Sequence, residues 1–148
     1  MKRPRTILYR IERSGMTPAQ VECIKWALTE WFNALGGWVT FREDHTFADW
    51  QFSFSEHPEY PKKIARCDHI SDKVKGITFD PRERWAVTGW ARFWGTGPCL
   101  RTYALHEIGH AIGLHHSTNV NSLMHPNPVN ARIDAECRRD ALAILSNS

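Results

Sequence analysis

An α+β fold is the fold class that the sequence predicts, and three observations support it. A β-prone segment begins the chain, strand-like segments and one long helix fill its first half, and two further helices follow all of the strands. This order is typical of a layered α+β domain. With 148 residues the chain has the size of one compact domain, so residues 1–148 are expected to form a single domain.

The first half of the chain combines short strand-like segments with one amphipathic helix. Residues 6–11 are apolar and β-prone, and they predict the first strand. Thr17 is a suitable N-cap with Pro18 at the first helical position, and apolar residues then recur at spacings of three and four until Gly36. Further strands are expected at residues 38–42, 49–54 and 76–80, with a short edge strand at 63–67.

The second half contains a tryptophan-rich tract and two predicted helices. Residues 85–98 hold three tryptophans, three glycines and one proline, a composition that predicts a loop. Trp85, Trp90 and Trp94 are expected to cover the core, a substrate platform being the alternative. Helices are expected at about residues 100–114 and 133–146.

Composition and charge exclude several function classes. The hydrophobic fraction of 42% and the charged fraction of 24% are those of a globular protein. No apolar run approaches the roughly 20 residues of a membrane span, and the first residues lack an apolar stretch, so neither a membrane segment nor a signal peptide is expected. The net charge of +3 is spread along the chain, which argues against nucleic acid as the main partner. The four cysteines lack a CxxC spacing, and the sequence leaves all three pairings open as well as four free thiols.

Residues 106–117, HEIGHAIGLHHS, carry the strongest functional signal in the chain. His106 and His110 are four residues apart, so on a helix both imidazoles lie on one face, a turn apart, and can reach one metal ion. Gly113 is expected to end that helix and to turn the chain, which makes His116 the third ligand. Three nitrogen ligands leave one tetrahedral position for water, which is typical of a catalytic zinc site.

Glu107 follows the first histidine directly and is predicted to be the general base that takes a proton from the water. Three alternatives to a catalytic zinc site remain at this point. The segment could be an ordinary amphipathic helix whose histidines face solvent, or the zinc could serve a binding module without turnover. A structural zinc would need a fourth protein ligand, for which His115 and His125 are the nearby candidates.

These residues resemble those of the metzincin zinc endopeptidases, and among them most closely those of the matrixins, the matrix metalloproteinases. HEIGHAIGLHHS matches the zinc-binding consensus of that group, and residues 122–126, SLMHP, resemble its Met-turn. Weaker matches follow in matrixin-like order from about residue 6 to residue 145. The resemblance implies a twisted, mixed sheet with an antiparallel edge strand and three helices, with Met124 beneath the zinc.

The resemblance also implies a function, that of a zinc-dependent metalloendopeptidase hydrolysing internal peptide bonds of proteins. One catalytic zinc would be held by His106, His110 and His116 and would activate the water. Glu107 would act as general base and then as general acid toward the leaving amine. The partner is then a protein or peptide substrate, and the enzyme is expected to be a monomer. The family implies a secreted, extracellular protein, whereas the residues themselves leave the compartment open.

Substrate binding is expected along the edge strand near residues 65–67 and in a pocket beside the zinc. Main-chain pairing with the strand would supply affinity without much sequence selection. Leu114, His125 and Pro126 are the predicted pocket residues. For His125, which lies in the Met-turn, a purely structural role is the alternative.

Additional metal sites of the family have less support in the sequence. His57 and His69 could supply two ligands of a second, structural zinc, but Thr78 stands where the resemblance implies a histidine. Asp80 and Glu83 keep the spacing of a calcium pair, while the glycine-rich loop that supplies the other oxygens is missing. The sequence therefore disfavours a structural zinc and a calcium ion, and leaves both open.

Overall fold

The computed structural model describes residues 4–87 and 97–147 of the chain. Within them the strands and helices follow in the order β1 Arg5–Ile11, α1 Pro18–Ala34, β2 Val39–Glu43, β3 Trp50–Phe54, β4 Ala65–His69, β5 Lys75–Phe79, α2 Leu100–Ile112 and α3 Ala135–Ser146. The α+β class and the three helices are thereby confirmed. No helix in the described ranges combines the length and the apolar character that crossing a membrane requires.

The strands form one mixed sheet in the order β2-β1-β3-β5-β4. The pairs β1–β2, β1–β3 and β3–β5 are parallel, and β4 runs antiparallel to β5. This arrangement confirms the mixed sheet with an antiparallel edge strand. In the described part of the chain, one side of β4 has no strand neighbour, so its N–H and C=O groups there can pair with another chain.

The edge strand begins two residues later than the sequence predicts, at Ala65 instead of residue 63. The amide N–H groups of Lys62 and Lys63 both donate to the carbonyl of Glu59, at 2.8 and 3.2 Å, which keeps these residues in a turn. Ladder pairing with β5 starts at Ala65, opposite Phe79. The two lysines therefore stand at the entrance to β4 rather than inside it.

Helix α1 begins with the N-cap that the sequence predicts, in a complete capping box. The Thr17 hydroxyl accepts the N–H of Gln20 at 3.2 Å, and the Gln20 side chain accepts the N–H of Thr17 at 2.9 Å. Farther along, Trp31 is fully buried and its indole N–H donates to the carbonyl of Leu105 at 3.0 Å. This bond links α1 to α2, the helix that carries two of the histidines.

The hydrophobic core lies between the sheet and α2. Phe52, Ile77 and Phe79 of the sheet and Leu105 and Ile108 of α2 are all fully buried. Complete burial of such a side chain contributes roughly 1.5–3 kcal/mol. The core therefore holds α2 against the β4–β5 edge of the sheet.

Trp85 closes this core near the start of α2. Its ring packs edge-on against Phe79 and Tyr103, with ring centroids 5.7 and 5.5 Å apart, and its indole N–H donates to the carbonyl of Asp80 at 2.8 Å. With 9% of its surface exposed, Trp85 covers the core. Trp90, Trp94 and the middle of the predicted loop lie outside the described residues.

Candidate functional site

Three histidines meet where α2 ends and the chain turns back. Potential ligand nitrogens of His106, His110 and His116 all lie within 4.8 Å of one another. In the described parts of the chain this is the single group of three or more His, Cys, Asp or Glu ligand atoms. His115 and His125, the alternatives for a fourth protein ligand, do not belong to it. The arrangement therefore leaves the fourth tetrahedral position to an external ligand.

Helix geometry and one glycine bring the three rings together. His106 and His110 lie one turn apart on α2, with ring centroids 4.7 Å apart. Gly113 has a φ of 127°, a conformation that favours glycine, and the helix ends at Ile112. The chain then reverses, which brings the ring centroid of His116 to 4.8 Å from that of His110. The helix stops two residues earlier than predicted because the turn begins at the glycine itself.

The hydrogen bonds of the two helical histidines show which nitrogen is available to a metal. The Nδ1–H of His106 donates to the Leu123 carbonyl at 2.8 Å, and the Nδ1–H of His110 donates to the Leu114 carbonyl at 2.9 Å. Because a carbonyl only accepts, Nδ1 carries the proton in both rings and Nε2 keeps its lone pair. Such second hydrogen bonds orient metal-binding histidines.

The Nε2 atoms of His106 and His110 lie 3.1 Å apart. Two lone pairs facing each other at this distance repel unless a cation lies beside both of them. Two nitrogens bound to one tetrahedral zinc at about 2.0–2.1 Å are about 3.3 Å apart, close to the observed separation. Burial lowers the pKa of His106 to about 4, so its ring is neutral at neutral pH, as a ligand must be. These residues fit a zinc ion.

Glu107 lies in the wall of the cleft beside these histidines and is 5% exposed. Burial raises the pKa of its carboxyl to about 8. The negative charge of Asp68 contributes to this rise, and the positive charge of Lys63 opposes it. A carboxyl whose pKa lies near the working pH is suited to proton transfer. A cation held by the histidines would favour the ionised carboxylate, which is the form that accepts a proton.

The turn that follows the histidines packs against α2. Met124 is 2% exposed, and a Cβ added at Gly109 would meet its Sδ atom at 2.6 Å. The thioether therefore packs directly on the backbone of α2 at Gly109, the residue before His110. The Ser117 N–H donates to the Met124 carbonyl at 2.9 Å, which fastens this turn to the chain after the third histidine.

Asp134 is a positioning residue that the sequence analysis missed. Its Oδ2 accepts the N–H of Leu123 at 2.7 Å, and its Oδ1 accepts the N–H of Cys137 at 3.0 Å as the N-cap of α3. The carbonyl of Leu123 in turn accepts the N–H of His106. The carboxylate thus fixes the residue that orients a histidine. An aspartate near the start of a predicted helix is an N-cap signal, which could have identified the cap but not the contact with Leu123.

Replacing Asp134 with alanine is expected to lower the free energy of unfolding by about 2 kcal/mol, because a helix cap and a charge-assisted hydrogen bond are both lost. Urea denaturation followed by tryptophan fluorescence would measure this loss. Asp140→Ala is the matched control on the same helix, since Asp140 is 47% exposed in a surface pair with Arg139. We expect it to change stability by less than about 0.5 kcal/mol. Equal losses in the two variants would contradict the role assigned to Asp134.

A cleft of about 640 Å³ runs between β4 and the histidines. Residues of β4 and of the preceding turn line one side, and Leu114, Pro126 and Asn127 contribute to the other. A second cavity of about 360 Å³ is lined by Leu114 and Met124. His125 is half-buried, and its Nδ1 accepts the Asn127 N–H at 3.1 Å. Of the three predicted pocket residues, Leu114 and Pro126 line the cleft, and His125 is not among its lining residues.

Asp80 and His57, two of the residues considered for additional metal sites, have other partners. Asp80 is buried and accepts two hydrogen bonds from the Arg82 guanidinium, at 3.0 and 2.8 Å, and one from the His57 N–H at 2.7 Å. This guanidinium holds the pKa of Asp80 well below its usual range. The Nδ1 of His57 accepts the N–H of Glu59 at 2.9 Å, and His69 lies exposed at the end of β4. Within the described ranges these residues belong to no group of three ligand atoms.

Comparison with known proteins agrees with this geometry. The family model described as Matrixin matches residues 2–140. Human matrix metalloproteinase-20 is 33% identical over 135 residues, which is 82% of this chain and 26% of that protein. Human matrix metalloproteinase-26 is 42% identical over 50 residues, which is 34% of this chain and 17% of that protein. The chain thus spans about a quarter or less of the length of these relatives.

Matrixins use a catalytic zinc, and the group formed by His106, His110 and His116 is positioned to bind one. The family match runs from the start of the sheet into the last helix, so it covers both the fold and the metal site. Since the match extends over nearly the whole chain, the chain belongs to the matrixin family.

Proposed function

We propose that this chain is a zinc-dependent endopeptidase that cuts internal peptide bonds of proteins. The observation that carries the proposal is the pair of imidazole Nε2 atoms 3.1 Å apart, with the buried carboxyl of Glu107 next to them in the cleft. In this proposal His106, His110 and His116 are the metal ligands. Residues 1–148 form one catalytic domain, which works as a monomer.

The chain's own residues hold the metal and move the proton. When bound, zinc supplies a Lewis acid that activates water and polarises the scissile carbonyl. His106 and His110 keep their orientation through the carbonyls of Leu123 and Leu114. An oxygen of Glu107 takes the proton of the attacking water, and the same carboxyl later donates it to the nitrogen of the leaving amine.

Substrate binds along the open side of β4, whose other side is paired with β5. A peptide that adds as a further strand gains main-chain hydrogen bonds, which give affinity with little sequence selection. Selection comes from the pocket of Leu114 and Pro126, with His125 as the third candidate. Because Leu114 and Pro126 are apolar, this pocket suits a hydrophobic side chain next to the cleaved bond.

Digestion of dye-labelled casein, with and without a chelator, tests the proposed function. We expect the purified protein to release dye, to stop when zinc is removed and to recover when zinc is restored, because the ligands bind the metal reversibly. A binding module would keep its zinc without releasing dye. A structural zinc protein would unfold on chelation and digest no casein at any stage. Either of these two results would contradict the proposal.

A further inference from the structure

Charged residues line the substrate cleft unevenly. Lys62 and Lys63 stand in the turn that leads into β4, and Asp68 lies near the end of that strand. All three are exposed and line the cleft. Because a strand rises about 3.3 Å per residue, Ala65 and Asp68 of β4 are roughly 10 Å apart, and the lysines precede Ala65. Arg66 lines the cleft as well and pairs with Asp68 at 3.2 Å. One end of this wall is therefore basic, whereas at the other end the acidic Asp68 is paired with an arginine.

Helix α2, which carries Glu107, packs against β4. The two lysines, Asp68, Glu107 and His116 all line the same cleft. The bond that is cut next to Glu107 is therefore expected to lie between the lysines and Asp68.

The direction of strand pairing determines which half of a substrate meets each end. An antiparallel pair is slightly more stable per residue than a parallel one, so a peptide on the open side of β4 is expected to run opposite to it. Residues before the cleaved bond then lie toward Asp68. Residues after the cleaved bond lie toward Lys62 and Lys63.

We infer that the cleft selects peptides by the order of their charges. A basic residue is favoured on the N-terminal side and an acidic residue on the C-terminal side of the two residues that the cleaved bond joins. This inference rests on the proposed function. The lysines contribute more than Asp68, because Arg66, which lies 3.2 Å from Asp68, lines the cleft too and repels a basic substrate residue there. Lys63 pairs with Glu59 at 3.5 Å, but these side chains are 64% and 58% exposed, and such surface pairs contribute little and exchange partners readily.

Three peptides of equal length with blocked ends test the inference. The first carries lysine on the N-terminal side and glutamate on the C-terminal side of a Gly-Leu bond, the second exchanges these two residues, and the third carries glutamine at both positions. We expect kcat/KM to fall in the order first, third, second, with roughly a tenfold difference between the first and second. Raising the ionic strength from about 10 mM to about 1 M shortens the Debye length from about 30 to about 3 Å and should remove most of this difference.

Variants of the protein show whether these lysines cause the preference. In Lys62→Glu/Lys63→Glu the ratio of kcat/KM between the first and second peptides is expected to fall to about one or to invert, since the basic end becomes acidic. Lys73→Glu is the matched control, because Lys73 is exposed in the turn between β4 and β5 and does not line the cleft. It should keep the tenfold ratio.

The outcomes separate this inference from the proposed function. Cleavage of the neutral peptide, together with equal or reversed rates on the two charged peptides, would overturn the inference and leave the endopeptidase in place. A parental ratio in the double lysine variant would overturn it as well. Failure to cut any of the three peptides would overturn the proposed function and the inference with it.

Discussion

Replacing Glu107 with glutamine is expected to reduce kcat for peptide hydrolysis by about 10²- to 10⁴-fold without loss of zinc. Glutamine has nearly the same volume as glutamate, but its amide cannot accept the proton of water. The substitution leaves the three histidines of the metal group unchanged. Steady-state kinetics on a neutral peptide and elemental analysis of zinc would measure the two quantities.

The burial of Glu107 determines the choice of substitution. The side chain is 5% exposed, so alanine would leave a cavity, and lost activity could then reflect lost packing. Glu56→Gln is the matched control, because the carboxylate of Glu56 is 68% exposed at the surface. It should retain the activity of the parent. Full activity in Glu107→Gln with zinc bound would contradict the general-base role and favour a binding module.

Replacing His106, His110 or His116 with alanine is expected to remove the zinc and to reduce proteolysis to the level of the chelated parent. Each variant keeps only two nitrogen ligands, too few for a stable tetrahedral site. The melting temperature of the parent should fall on chelation, because a metal that binds only the folded state stabilises it. The melting temperatures of the variants should not respond to the chelator. Elemental analysis and thermal unfolding would measure both effects.

The metal-free variants should differ in stability. His106 is 3% exposed and donates to Leu123, so its replacement also removes packing and a buried hydrogen bond. His116 is exposed, and its replacement should cost little. His115→Ala is the matched control and should keep the zinc, because His115 is exposed and lies outside the metal group. Zinc retained in all three ligand variants would overturn the assignment.

Features that depend on neighbouring residues can be predicted from this sequence. The start of α1, with Thr17 as N-cap and Pro18 as first helical residue, requires only the residues around it. The end of α2 follows from Gly113, because glycine adopts a positive φ at little cost. The histidine group is local in the same sense, since helical spacing and one turn bring the three rings together.

Contacts between separate segments could not be predicted in this way. The bond between Asp134 and Leu123 depends on how α3 packs against the preceding turn, and no spacing rule indicates it. The late start of β4 depends on the carbonyl of Glu59, which competes for the amides of the turn. Asp80 is only two residues from Arg82, yet the sequence does not distinguish a carboxylate that pairs with arginine from one that binds calcium.

The contacts that position the histidines are short along the chain. His106 bonds to Leu123 over 17 residues, and Asp134 bonds to Leu123 over 11 residues. Arg10 of β1 and Gln51 of β3, in contrast, are joined by a side-chain hydrogen bond across 41 residues. Short loops lose less entropy on closing, so the contacts around His106 close at a smaller entropic cost than the pairing of β1 with β3.

The metal-binding segment follows all five described strands along the chain, so it is also synthesised after them. Chains emerge from their N-terminal end, so the sheet is exposed to solvent before α2 and the third histidine exist. The ligand set is complete only after His116 has emerged, and its support by Asp134 comes later still. A growing chain therefore cannot capture zinc early. Under the proposed function, the nascent polypeptide is protected from its own proteolytic activity until His116, in the last third of the domain, has been made.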